Sequence, residues 1–262
     1  MKNKLTLLVL LFPILLYSCD LLNMESVAGD PTTDEIVSGL KTALKVGTDS
    51  SSTVLNKQDG YFANAAIKIP MPPEAKLITD NMNGTLLSSI GVPAMVEKMV
   101  LSMNRSAEDA ASEAKPIFWD AITNITLGDA LSILQGKNPS SPSSTFDSTA
   151  ATGYLKSVTY TALSGVFQPK IDVSLGRPLV SGLSANSLWT TLTTAYNNVA
   201  NTLAGRILGL SPVTSQLSLF VTQKGLDGLF HMVGIQEKKI RKDPFKWASD
   251  ILKKVFGFVY KP

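Results

Sequence analysis

Between Pro93 and Ala114 the apolar residues return with a period that a helix satisfies and a strand does not. At about 100° per residue, Val96, Met99, Val100, Met103, Ala107, Ala110, Ala111 and Ala114 fall within one stripe about 120° wide. Glu97, Lys98, Arg105, Glu108, Asp109 and Ser112 lie outside it. The spacing predicts a helix that opens at Pro93, a favoured first helical position, and buries one face. Its alanine-rich second half lets a neighbour approach closely. Pro116 breaks or kinks the run, because it lacks an N–H and its ring meets the preceding turn. Ile117, Phe118, Ala121, Ile122 and Ile125 then continue in helical phase. A helix with one apolar face needs partners, and the rest of the chain supplies them.

Thr32 and Glu35 have capping-box spacing ahead of Ile36, Leu40, Ala43 and Leu44. Residues 47–73, with GTDSSS and IPMPP, read as loop, with a short extended piece at AAIKI. Thr126 and Asp129 mark another helix start, and Gly136 its stop. Residues 137–148 form a Ser/Pro-rich loop. Tyr154, Leu155, Val158, Ala162, Val166 and Phe167 predict a helix ended by Pro169, and Leu188 to Val199 another. From Leu217 to Ile235 apolar residues lie nearly all round, which predicts a central, buried helix. Asp243-Pro244 ends the charged run after it, and Phe245–Phe256 reads as a last amphipathic helix. Strand signals are scarce, and the expected fold is all-α: a single multi-helix bundle domain.

The chain has one cysteine, Cys19, and it comes directly after an apolar run. Lys2 and Lys4 make a positive start, and Leu5–Leu16 is about a dozen residues, the length of a signal-peptide core and short of the roughly 20 that span a bilayer. Leu16, Tyr17 and Ser18 before Cys19 resemble a bacterial lipobox, although Tyr17 is bulkier than usual. The expected organisation is a lipoprotein signal peptide at 1–18, a lipidated tether at 19–34, a helical domain at 35–257 and a tail at 258–262. Palmitate-type acylation at Cys19 would hold the protein on a membrane, since two or three chains bind where one does not. It would also consume the thiol, so no disulfide or thiolate site remains and the core stabilises the domain unaided.

The formal charge is +3. Lys2 and Lys4 leave with a signal peptide, so the mature chain is close to neutral and nucleic acid is not an expected partner. Basic residues concentrate after Glu237, where DILKKVFGFVYKP joins lysines to aromatic residues. Those lysines either stay solvated on a packed helix or touch an anionic membrane surface.

With a single histidine there is no multi-histidine metal site, and no P-loop, G-x-S-x-G or G-x-G-x-x-G motif occurs. Ser38–Lys41 and Ser112–Lys115 match S-x-x-K, but the companion motifs of a serine acyl-enzyme are missing. Neither a metal nor a cofactor is expected, and the chain does not read as an enzyme. One polar group stands out: Gln223, Lys224, Asp227 and His231 share one side of the predicted buried helix. Lys224 and Asp227, three apart, can touch, as can Asp227 and His231, four apart. Arg105 and Glu108 on the Pro93 helix are candidates to face them. The cluster Arg105, Glu108, Lys224 and Asp227 is either a ligand site in a cleft or a structural ion-pair group that fixes helix register.

LSMNRSAEDAASEAKPIFWDAITNITLGDALSILQG, VTQKGLDGLFHMVGIQEKKIRKDP and DILKKVFG resemble the bacterial domain-of-unknown-function family numbered 4197, as do GLKTALKVGT and NAAIKIPMP. The resemblance implies an exported, largely helical protein and carries over no activity. Asn104, Arg105, Glu108, Glu113, Lys115, Pro116, Asp120, Asp129, Thr222, Gln223, Lys224 and Asp227 match its polar motifs; His231 does not.

The expected function is therefore a lipid-anchored, non-enzymatic binding or interaction module of the cell envelope. Its partner would be an apolar ligand, peptidoglycan or another envelope protein, with the outer membrane favoured over the inner, although Asp20 after the acylated cysteine resembles an inner-membrane retention signal of enteric bacteria. The alternatives are a surface-exposed lipoprotein contacting host molecules, or an enzyme using a polar cleft.

Overall fold

The first helix, α1 (Thr33–Leu55), begins as its cap residues predict. Thr32 Oγ1 accepts from the Glu35 amide, and the Glu35 carboxylate accepts from the Thr32 amide. The computed structural model describes residues 29–81, 83, 88–89, 91–141, 143, 145–180, 182–207, 209, 211–214 and 216–259. Cys19, the expected signal peptide and most of the expected tether lie outside these residues.

α1 runs further than the sequence reading allows. The GTDSSS stretch expected as loop is helical to Leu55, because tertiary packing overrides its poor propensity. Thr48 Oγ1 donates to the Leu44 carbonyl and Ser51 Oγ to the Gly47 carbonyl, so these buried hydroxyls are satisfied inside the helix. The small residues let the partner close in: a Cβ on Gly47 would stand 3.5 Å from Gln236 Cβ.

A turn-rich segment, 56–72, leads into a 3-10 turn at Pro73–Ala75 and the short α2 (Lys76–Asn81). The AAIKI piece forms no strand. Next come α3 (Val92–Ala110), a 3-10 turn at Ala111–Glu113, and α4 (Ala114–Thr123). The break falls just before Pro116, whose missing N–H leaves the Ser112 carbonyl without its helical partner. The predicted stripe is the buried one, with Met99, Met103, Ala107, Ala110, Ala111 and Ala114 in the core. α5 (Leu127–Leu134) carries the Thr126–Asp129 capping box, and Gly136 stops it at φ +73°.

α6 (Ala150–Leu175) contains Pro169 and continues past it, against expectation. The proline sits on the exposed side, so water can satisfy the Gly165 carbonyl it leaves unbonded. The buried line is Leu155, Thr159, Leu163, Phe167 and Ile171, whereas Val158 and Val166 are exposed. A small antiparallel hairpin comes next, β1 (Pro178–Val180) and β2 (Leu183–Ser184), with Gly182 at φ +82° between them. Then come α7 (Ala185–Ala200), α8 (Leu203–Ile207), α9 (Leu217–Lys242), a 3-10 turn at Pro244–Lys246, and α10 (Asp250–Val259). The expected last helix from Phe245 begins instead at Asp250.

The architecture is all-α, one helical domain with a single core. α9 packs on α6, α1 and α3; α6 also packs on α3 and α4; α1 holds α4, α5 and α10. Lys254 on α10 reaches back to Glu35, at 2.7 Å and 2.8 Å to the two carboxylate oxygens, and is only 17% exposed. That lysine ties the last helix to the first turn of α1. Among the described residues no single helix is long and apolar enough to cross a membrane.

Candidate functional site

α9 is not apolar all round. Gln223, Lys224, Asp227 and His231 occupy an exposed strip, while Gly225, Leu226, Gly228, Leu229 and Phe230 face inward. Asp227 bonds Lys156 of α6 at 3.3 Å rather than Lys224. Among the described residues no hydrogen bond or ion pair links Arg105 or Glu108 to Lys224 or Asp227. The four candidate residues thus divide into two groups with different surroundings.

The first group lies at the edge of the core. Glu108, expected on the solvent side of α3, is 3% exposed. Its Oε1 accepts from the Tyr61 and Phe62 amides, at 3.1 Å and 3.2 Å, and its Oε2 from Arg105 Nη1 at 2.6 Å. Arg105 Nη2 donates to Asp59 at 2.8 Å. Asp59 adopts φ +68°, a left-handed conformation that aspartate tolerates better than most residues. Burial by itself would lower the Arg105 pKa, but the Glu108 and Asp59 carboxylates outweigh it and hold the guanidinium above its ordinary value. One turn before Glu108, Asn104 accepts from the Ile69 amide and donates to its carbonyl, both at 2.9 Å. The side-chain amide takes the place of a neighbouring strand. Asn104, Arg105 and Glu108 therefore spend their polarity on fixing the 59–69 segment.

That segment is pressed onto α9. Tyr61 is fully buried and donates its hydroxyl to the Gly225 carbonyl at 2.7 Å. Burial, with the Glu108 carboxylate nearby, pushes its phenol well above the usual range. Gly228 makes the approach possible, since a Cβ there would lie 2.7 Å from Tyr61 Cε1 and 3.2 Å from Ile67 Cβ. Within QKGLDG, Gly225 supplies the carbonyl and Gly228 the space for this contact, while Gln223, Lys224 and Asp227 are exposed.

The second group lies where the segment and α9 diverge. A cleft of about 310 Å3 opens there, lined by Ala66, Ile67, Lys68, Pro70, Lys224, Asp227, Gly228 and His231. Lys68 lies over the Phe62 ring, 4.0 Å from its centre. Among the described residues neither Lys68 nor Lys224 has a carboxylate partner. Sequence reasoning places Lys224 and Asp227 in a candidate site but misses Lys68, whose signal is that of a lone charge inside the apolar stretch AAIKIPMPP.

The lysines of the two S-x-x-K matches and three further polar residues have structural partners. Lys41 donates to the Thr123 carbonyl and Lys115 to Thr53, so both S-x-x-K lysines are engaged away from their serines. Glu113 pairs with Lys170, Asp129 caps α5, and Thr222 bonds the Ser218 carbonyl within α9. Among the described residues no group of three or more His, Cys, Asp or Glu side chains is placed to hold a metal ion.

A pair that the sequence does not flag is buried at the other end of α9. Glu237, 7% exposed, accepts from the Ala151 and Thr152 amides and the Thr152 hydroxyl, at 2.8–3.0 Å. Arg241 bonds Glu237 Oε1 and donates to the Ile133 and Leu134 carbonyls. A carboxylate thus caps the start of α6 and a guanidinium caps the end of α5, each complementing the charge of that helix end. The E-x-x-x-R spacing on a buried helix is the available signal.

The family model described as protein of unknown function DUF4197 matches residues 30–257, and the chain belongs to that family. No curated protein and no solved structure matches the chain significantly.

Proposed function

We propose that this chain is a lipid-anchored, non-enzymatic binding module of the cell envelope, and that it holds its ligand in the cleft between residues 66–70 and α9. The observation that carries the reading is the division of polar labour: Asn104, Arg105 and Glu108 are consumed in fixing one wall, while Lys68, Lys224 and His231 face the cleft. A wall held by side-chain hydrogen bonds does not have to be ordered on binding, which favours affinity. Anchoring is supported by the positive start, the short apolar run and the Leu16–Cys19 box. The outer membrane is the favoured location.

Native mass spectrometry of the full chain, extracted in mild detergent, tests the binding role. A retained molecule whose occupancy Lys224→Ala lowers is the expected result; an empty protein that takes up nothing from envelope extract would end the reading. Cys19→Ser should abolish palmitate incorporation and move the protein out of the membrane fraction. An inner-membrane peak on density fractionation would count against the outer membrane.

A second reading is favoured by an apolar groove of about 220 Å3, lined by Met71, Met95, Met99 and Leu188 among others. Its methionines are adaptable, as at surfaces that take varied apolar partners. A retained fatty-acyl mass, insensitive to Lys224→Ala and lost in Met95→Arg, would place the ligand there instead.

A further inference from the structure

Resting on the reading of the 66–70/α9 cleft as a ligand site, we infer that its ligand presents a phosphomonoester, on a free organic phosphate or on a lipid headgroup. Two cations line the cleft, Lys68 and Lys224; Asp227, the carboxylate of the lining, is paired with Lys156 of α6, which stands outside it. With the Asp227 charge offset by Lys156, the two lining lysines leave an excess of two positive charges. A phosphomonoester carries about −1.5 to −2 at neutral pH, which matches that excess, whereas a carboxylate carries one charge and leaves half of it uncompensated.

Lysine is suited to this task because it meets phosphate as a point charge and needs no fixed fork geometry. Lys68 is steadied over the Phe62 ring, so less side-chain freedom is lost when it engages. His231 adds a hydrogen-bonding ring on the same side. Ile67 and Pro70 supply an apolar wall for the carbon portion of the ligand. Asp227 plays an opposing part. It draws Lys156 to itself and repels an incoming anion, so it sets selectivity by lowering affinity for weakly charged competitors.

The test is calorimetric titration of the full chain in nonionic detergent. The probes are inorganic phosphate, acetate at equal ionic strength, and micelles doped with phosphatidic acid or phosphatidylcholine. Phosphate should bind more tightly than acetate, and binding should weaken with added salt. Lys68→Ala and Lys224→Ala should each weaken it about threefold to fivefold, as expected for a solvent-accessible ion pair. Lys224→Arg should restore it. Asp227→Asn should tighten binding by a similar factor, an outcome a purely structural aspartate would not give. Phosphatidic acid binding beyond that of inorganic phosphate identifies a lipid headgroup; equal binding identifies a free phosphomonoester. Either supports the inference. If no phosphate probe binds while native mass spectrometry still shows a molecule whose occupancy Lys224→Ala lowers, the phosphate assignment falls and the binding role stands. If nothing is retained and nothing binds, both fall.

Discussion

One helix carries two sets of charges with opposite fates. Glu237 and Arg241 lie near the C-terminal end of α9 and are almost wholly buried. Lys224 and Asp227, about 20 Å earlier along the same axis at 1.5 Å per residue, are exposed. The residue types are nearly the same, and so is the sequence spacing: i,i+4 in one case, i,i+3 in the other. What separates them is the company they keep. Glu237 and Arg241 each meet the end of another helix, where backbone groups lack partners, so the pair satisfies five hydrogen-bonding groups beyond itself. Lys224 meets open space above a glycine-lined contact. A charge on a central helix is therefore structural when a helix terminus abuts it, and available for binding when it does not.

The contrast should be plainest at Glu237. Glu237→Ala leaves Arg241 buried without its carboxylate and strips the first amides of α6 of their cap. Removing one partner of a buried pair costs about 3–5 kcal/mol, a large part of a domain's total stability. Urea denaturation should show that loss, and equal stability of mutant and parent would show that the pair is dispensable. Arg241 also lies over the rings of Phe146 and Phe256, at 5.8 Å and 5.9 Å, so its release should disturb α10 as well.

Next in size is the glycine that brings the cleft wall onto α9. Gly228→Ala gains helix propensity worth about 1 kcal/mol. It also forces a methyl against Tyr61, a fully buried ring tethered by its hydroxyl to the Gly225 carbonyl. Overpacking of this kind costs about 1–3 kcal/mol, so the net change should be destabilising. The variant should also alter ligand retention, since the wall must move outward. A stabilised Gly228→Ala protein would mean that the contact is looser than its geometry states.

Glu237 and Gly228 also mark the limits of what the sequence makes legible. Helix starts are readable at Thr32 and Thr126, because capping is local chemistry written in a few residues. The α3 stripe is readable because its period is long and clean. GTDSSS reads as loop because its propensity is poor, and its helicity comes from packing on α9, a distant partner. Pro169 reads as a helix end, yet a proline is tolerated where its lost hydrogen bond faces water, and facing is a tertiary property. For the candidate site, the shared side of Lys224 and Asp227 follows from helical spacing alone, whereas their exposure does not, because the apolar residues around them suggest burial. Arg105 and Glu108 are grouped with them only because nothing local reveals that residues 59–69 fold over α3 and claim both.

A smaller effect belongs to the link between the first and last helices. The hydrogen bond from Lys254, and then that from the Thr32 amide, hold the Glu35 carboxyl below its ordinary value. A carboxylate depressed in the folded state contributes stability that is complete above the unfolded value, about 4.3 for glutamate, and is lost as pH falls through the lower folded value. Acidification below about pH 4 should therefore weaken the native protein more than a Lys254→Ala variant, when midpoints are compared at each pH. Parallel acid profiles would show that the lysine contributes nothing there. The same contact bears on the basic ending: Lys254 is engaged with α1, and Lys253 bonds Asp250 at 3.2 Å, so neither is an idle charge.

The smallest effect is expected at the exposed charges of α9, and it is the most informative. Lys224→Ala removes an exposed ammonium with no carboxylate partner among the described residues. Asp227→Asn removes one member of an ion pair in which both side chains are about half exposed. Surface changes of this sort shift stability by about 0.5 kcal/mol or less, and an exposed ion pair contributes roughly 0–1 kcal/mol. Lys224→Ala should therefore unfold at the parental urea midpoint, and Asp227→Asn within a few tenths of a molar of it. A loss as large as that at Glu237 would mean that Lys224 and Asp227 also hold the fold together, and the cleft would then have no residues to spare for a ligand. Unchanged midpoints combined with altered binding would instead place stability at one end of α9 and recognition at the other.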